Sequence, residues 1–180
     1  MVQNLRNFFL RLERKKLEKI EKSIFMQIRY IKNNLELDIC GNHLIKNIKT
    51  LILGSLYFDS NESKVWLNRS IKILKQELDV QILDDGFHFE LSPSYHLIVM
   101  EDLLEIKIYL EYLQNKSNVD FQIKTLLKIL KKKLNLMLNA TRSFIHPDGL
   151  PSLFADSGLH MSSAPREIFD LFKYAFKLQN

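Results

Sequence analysis

The sequence predicts an all-α protein, a set of antiparallel helices joined by loops of unequal length. Three observations carry that reading. Apolar residues recur three and four positions apart in stretch after stretch, the spacing of one buried helix face. No stretch of useful length alternates apolar and polar residues as a half-buried strand does. Two segments, 84–94 and 145–162, are too long and too polar to be mere connectors between helices.

Taken in order, Leu5, Phe8, Phe9 and Leu12 mark a first basic helix over residues 1–22, loosely attached to the rest. Residues 23–180 then form the main domain. Ser23 is the expected cap of a helix running through Ile24, Ile28 and Ile31 to about Leu35. Gly41 breaks the pattern, and Leu44, Ile48, Leu51, Ile52 and Leu56 restart it as a buried helix. Asn42 and His43 fall at its start, where they either cap the helix or point into a pocket. Asp59-Ser60-Asn61 makes a turn before the helix of Val65, Trp66, Ile71, Leu74 and Leu78. Leu97 to Leu113 form the next helix, Asn115 to Asn118 a turn, and Phe121 to Leu138 a helix with its lysines outward. Ser162-Ser163-Ala164-Pro165-Arg166-Glu167 has the cap and early proline of a last helix through Ile168, Leu171, Phe172 and Phe176.

Composition narrows the function classes. With 180 residues, 46% hydrophobic content and 12 Phe, the chain has material for a core and is long enough for one domain or part of a larger one. Its net charge of +5 is spread along helices, in Arg14-Lys15-Lys16 and Lys131-Lys132-Lys133, which read as solvated faces. No helix-turn-helix spacing or aromatic-basic interleaving accompanies it, so nucleic acid is not an expected partner. The lone cysteine, Cys40, cannot form an internal disulfide, and no Cys/His spacing suits a metal; no cofactor is expected. No apolar run approaches the ~18 residues of a membrane span. The first ten residues lack the apolar core and cleavage site of a signal peptide, so the chain as read is cytoplasmic, or periplasmic if its true N-terminus lies further upstream.

The most informative stretch runs from Asp84 to His96. Asp85-Gly86 is a turn signal, and Ser92-Pro93 a helix start in which Ser caps and Pro occupies the first turn. Tyr95 and His96 then sit at the positive end of the helix dipole, where a phenol beside an imidazole is expected to be more acidic than usual. Alternatively, the loop's aromatics simply pack beneath it. The second long segment holds Ile145-His146-Pro147-Asp148-Gly149-Leu150-Pro151, irregular because of its prolines and glycine, and a turn at Asp156-Ser157-Gly158.

Together these motifs resemble the heparinase II/III-like family of polysaccharide lyases. The resemblance is carried by Gly41-Asn42-His43-Leu44 with Asn47, by Asp85-Gly86-Phe87-His88-Phe89-Glu90-Leu91-Ser92-Pro93-Ser94-Tyr95-His96, and by Glu101-Asp102-Leu103-Leu104. His146-Pro147-Asp148-Gly149 and Leu153-Phe154-Ala155-Asp156-Ser157 follow in the same order, so the match runs from Ile28 to Lys177. It implies an antiparallel helical (α/α)-toroid, here a fragment whose C-terminal β-sandwich domain is missing, and whose remainder a separate chain can supply. The implied reaction is β-elimination at uronic acid residues of an acidic polysaccharide. The C5 proton is removed, the oxygen on C4 leaves, and the uronate carboxylate must be neutralised. On this resemblance Asn42 neutralises the carboxylate, His43 is its catalytic neighbour, and Tyr95 is the catalytic acid and in many members the base. Asn42, His88, Glu90 and His96 are the implied substrate contacts. The chain departs from the pattern at Phe87, where a second glycine is usual, and at Leu91, where an arginine is usual. An inactive helical module that binds an acidic glycan or a partner protein is the alternative.

Overall fold

The computed structural model describes residues 14–116 and 121–177, and the regular structure among them is helical throughout. The helix expected over Leu5 to Leu12 lies outside these residues, as does part of the Asn115–Asn118 turn. The described helices are α1 (Arg14–Asn33), α2 (Gly41–Tyr57), α3 (Asn61–Gln81), α4 (Pro93–Lys116), α5 (Phe121–Ser143) and α6 (Pro165–Lys177). None is long and apolar enough to cross a membrane.

Helix α4 is the axis of the assembly. Leu97, Val99, Met100, Leu103, Leu104, Ile106 and Leu110 are all fully buried, so more than one of its faces is apolar. A helix apolar on several faces must be covered on each of them. Here α2, α5 and α6 pack around it, while α3 bridges α2 and α5. Helix α1 lies outside, its Ile24, Phe25, Ile28 and Ile31 closing a satellite cluster over Leu51 and Trp66. Helix α1 runs unbroken through Ser23, which therefore caps nothing; its hydroxyl accepts from the Gln27 side chain one turn on. The apolar spacing on both sides of Ser23 keeps one phase, and that continuity outweighs a single polar residue.

Other ends follow their local chemistry. Ser60 and Ser63 cap α3 reciprocally, each side chain accepting the other's backbone N–H at 3.1 and 2.9 Å. At α6 the expected serine cap is replaced. Glu167 reaches back to the Ala164 N–H at 3.0 Å, and Ser163 donates instead to Glu101 on α4. Buried charge ties the helices across the core. Asp102 on α4 takes Lys46 and Lys49 of α2, each at 2.7 Å, and Lys49 also pairs with Glu105. Lys107, fully buried, donates to Glu111 and to the Ala175 carbonyl near the end of α6, and lies 4.6 Å from the Phe176 ring.

The two long loops begin with the same corner. After α3, Ile82 and His88 form an isolated antiparallel bridge; after α5, Ile145 and Pro151 form another. Inside the first, Leu83 donates to the Phe87 carbonyl and Asp85 accepts the Phe87 N–H through its side chain. Inside the second, His146 donates to Leu150 and Asp148 accepts the Leu150 N–H in the same way. Gly86 and Gly149 supply the left-handed residue, at φ 89° and 86°. The chain thus reuses one turn at the two connections that lead from one packed pair of helices to the next. Phe87, His96 and Phe144 pack the two corners together, with ring centroids 5.2–5.8 Å apart. That packing gives the side chain at position 87, where the resemblance expects a glycine, a physical role.

Candidate functional site

Helix α4 starts where the sequence indicates. Pro93 is its first residue, and the Ser92 hydroxyl accepts the Tyr95 N–H at 3.3 Å. The same hydroxyl also reaches the second long loop, donating to the Asp156 carbonyl at 2.9 Å and meeting Ser157 Oγ at 2.8 Å. Ser157 Oγ in turn accepts the Ser94 N–H at 3.2 Å, and Ser94 Oγ accepts the Gly158 N–H at 3.2 Å. Free N–H groups at a helix start need acceptors, and a loop more than sixty residues downstream supplies part of them here. This clasp presents Asp156 to Tyr95, whose hydroxyl donates to Asp156 Oδ2 at 2.7 Å.

A second helix start lies at α2. Cys40 and Gly41 both have positive φ, 59° and 55°, so the chain turns abruptly before Asn42. Glu90 fills the space beside Gly41: a Cβ there would run into its carboxylate. Glu90 Oε1 accepts the Asn42 backbone N–H at 3.2 Å, an anion at the positive end of a helix. Asn42 does not cap with its side chain, and its half-buried amide has no hydrogen bond among the described residues. His43 is exposed, with Nδ1 3.5 Å from Glu36 Oε1. Glu36 is itself held by the Asn47 side chain at 2.7 Å, one turn along α2.

Glu90 is the link between the two starts. Its carboxylate is bonded at Asn42, and its charge acts on the Tyr95 phenol. The acidity expected of Tyr95 is reversed, however. The hydrogen bond to Asp156 pushes the phenol above its usual pKa, and the Glu90 charge adds to the effect. The helix dipole and the imidazole do not compete: the Asp156 carboxylate meets the hydroxyl, and the imidazole points elsewhere.

His88 and His96 lie in the interior, both fully buried. His96 Nδ1 accepts the His88 N–H at 3.2 Å, and its Nε2 faces the Met137 carbonyl and Thr141 Oγ1 at 3.2 and 3.0 Å. His88 Nε2 meets Gln81 Oε1 at 3.0 Å, while its Nδ1 has no partner among the described residues. Burial lowers both pKa values to about 4. Leu91 stands exposed at φ 53° where the resemblance expects an arginine, so no cation reaches the phenol from that position. Among the described residues no group of three or more His, Cys, Asp or Glu side chains is placed to hold a metal ion.

Asp156 and Ser157 are the residues that reading the sequence for a site passed over. The Asp156-Ser157-Gly158 turn was visible as a turn. Its docking on α4 depends on contacts across more than sixty residues, for which a turn signal gives no direction.

The comparisons with known proteins agree with this frame. The family model for the heparinase II/III N-terminus matches residues 5–177. A heparin-sulfate lyase from Bacteroides stercoris is 38% identical over 58 residues, covering 32% of this chain and 9% of that protein. One from Bacteroides thetaiotaomicron is 35% identical over 66 residues, 36% of this chain and 9% of that protein. Among solved structures, a heparinase III superposes with a TM-score of 0.64 at 20% identity, covering 91% of this chain and 24% of that one. The heparan sulfate lyase HepC of Pedobacter heparinus gives 0.56 at 23%, covering 78% and 21%. The chain thus spans less than a quarter of the length of the proteins it matches, on their helical part. With its helices in this arrangement and almost its whole length matched, the chain belongs to the heparinase II/III family, as that family's N-terminal region defines it.

Proposed function

We propose that this chain carries one side of a lyase site that cleaves uronate-containing acidic polysaccharide by β-elimination. The observation that supports it most is the match of residues 5–177 to the heparinase II/III N-terminus. Within it, Asn42 and Tyr95 each stand in the first turn of a helix, with Glu90 bonded at Asn42 and acting by its charge on Tyr95. In this reading the unpaired amide of Asn42 donates to the uronate carboxylate and stabilises the charge that develops as C5 loses its proton. His43, held at Nδ1 by Glu36, takes that proton on Nε2. The electron pair forms the C4–C5 double bond, the C4–O bond breaks, and Tyr95 protonates the departing oxygen. A phenol kept above its usual pKa suits the acid role, because it holds its proton until the leaving oxygen becomes basic. The names of the relatives favour heparan-type chains as the polymer. His88 and His96 hold the loop from beneath, and Glu90 sets the spacing of the two helix starts.

The Asp156 carboxylate on the Tyr95 hydroxyl and the leucine at position 91 favour a second reading, a helical module that binds an acidic glycan without cleaving it. Incubating the chain with a panel of uronate polymers and following the ultraviolet absorbance of the unsaturated product separates the two. The lyase reading expects a rise with at least one polymer, reduced by about two orders of magnitude or more in Tyr95→Phe. Retention on an immobilised polymer with no rise supports the module; neither signal removes both.

A further inference from the structure

Tyr95, in the first turn of α4, and Asp156, in the second long loop, are 61 residues apart, yet their side chains meet at 2.7 Å. The contact is not a chance pairing of two free surface groups, because the segment that carries Asp156 is fixed independently of it. The Asp156 carbonyl, Ser157 Oγ and Gly158 N–H are all bonded to Ser92 or Ser94. Each partner in the clasp also carries a non-glycine residue at positive φ just before it, Leu91 at 53° and Ala155 at 51°. Such backbone persists only where surrounding contacts over-determine it.

We propose that Asp156 is the positioning residue of Tyr95, presented by the docked Ser157-Gly158 turn, so that the phenol holds one orientation only while the two long loops are clasped. This rests on the reading of Tyr95 as proton donor. A lone phenol on a surface divides its proton among water molecules and rotates freely. With Asp156 as acceptor, the ring has one setting and the hydroxyl oxygen one position, and a turn about the C–O bond carries the proton from Asp156 to the departing oxygen. Asp156 meets the hydroxyl and the Glu90 charge acts on it in the same direction; His96, next on α4, turns inward to Met137 and Thr141. The acceptor arrives from the second loop, so orientation of the phenol is a property of the pair of loops and not of α4 alone.

The test is the titration of Tyr95 in the full chain, followed by NMR of tyrosine labelled at the ring carbon bearing oxygen and assigned with Tyr95→Phe. Asp156→Asn is expected to move the Tyr95 midpoint to lower pH, leaving other tyrosines in place; Asp156→Glu is expected to restore much of the high midpoint. Ser157→Ala leaves the carboxylate intact but loosens its presentation, and is expected to shift Tyr95 in the same direction. An unmoved midpoint in Asp156→Asn overturns the pairing, and an unmoved midpoint in Ser157→Ala overturns the role of the clasp. These readouts need no turnover. A chain silent on every polymer, with a responsive Tyr95, removes the lyase reading alone. A chain that turns over, and whose Asp156→Asn variant keeps its kcat and pH profile, removes the positioning role alone.

Discussion

At Gly86 the backbone sits at φ 89°, and an added Cβ would run into the carbonyl and side chain of Leu136 on α5. Gly149 holds nearly the same conformation, but nothing lies within 4 Å of where its Cβ would be. The two glycines therefore separate backbone strain from steric collision. Gly149→Ala is expected to cost only the strain, about 1 kcal/mol, and Gly86→Ala roughly 2 kcal/mol more. Urea denaturation of the two variants checks both, and equal losses would refute the distinction. That each position takes a glycine was readable from the Asp-Gly pairs. That only one is hemmed in was not, because the obstacle belongs to a helix fifty residues away. Tyr95 teaches the same lesson with charge. Its sequence neighbours argued for a more acidic phenol, and Asp156, far along the chain, reverses the sign.

At the scale of elements, the loop between α3 and α4 is built on two neutral imidazoles. His96 Nδ1 is an acceptor for the His88 N–H, so protonating it sets two donors against each other. His88 Nδ1 is buried without a partner among the described residues, so a proton there would be a donor with no acceptor among them. Both folded pKa values lie near 4, below the ordinary value of 6.5. The sign follows: the unfolded chain binds these protons first, so their contribution is complete above pH 6.5 and is lost as pH falls from there towards 4. The loss is expected to reach on the order of several kcal/mol for the pair. Denaturation midpoints measured between pH 7 and 4 check it, and a flat profile through that window would rule it out. Helix existence, the Ser92-Pro93 start and the early Pro165 were legible because capping and periodicity are local. Ser23 misled because one polar residue cannot stop a helix whose apolar face continues in phase. The inward turn of His88 and His96 was open in the sequence, since their partners come from other elements, Gln81 of α3 for His88 and Met137 and Thr141 of α5 for His96.

Across the whole molecule, the helical arrangement and the family were legible because they rest on ordered motifs and repeated spacing. The site was legible only as two helix starts. Their joining by Glu90 and the clasp at Asp156 depends on how the hairpins stack. The clasp also has a kinetic consequence. Each helical hairpin closes over a short stretch of chain, whereas residues 92–95 and 156–158 must find each other across more than sixty residues. Contacts of that separation are costly to close early. The clasp is thus expected to form after the rate-limiting step and to break near the beginning of unfolding. Ser157→Ala should then speed unfolding several-fold while leaving the refolding rate almost unchanged, a split that stopped-flow denaturant jumps resolve; slowed refolding would place the clasp in the nucleus instead. The last contact to form would be the one that aims the phenol, so the chain reaches its stable fold before it has a finished site.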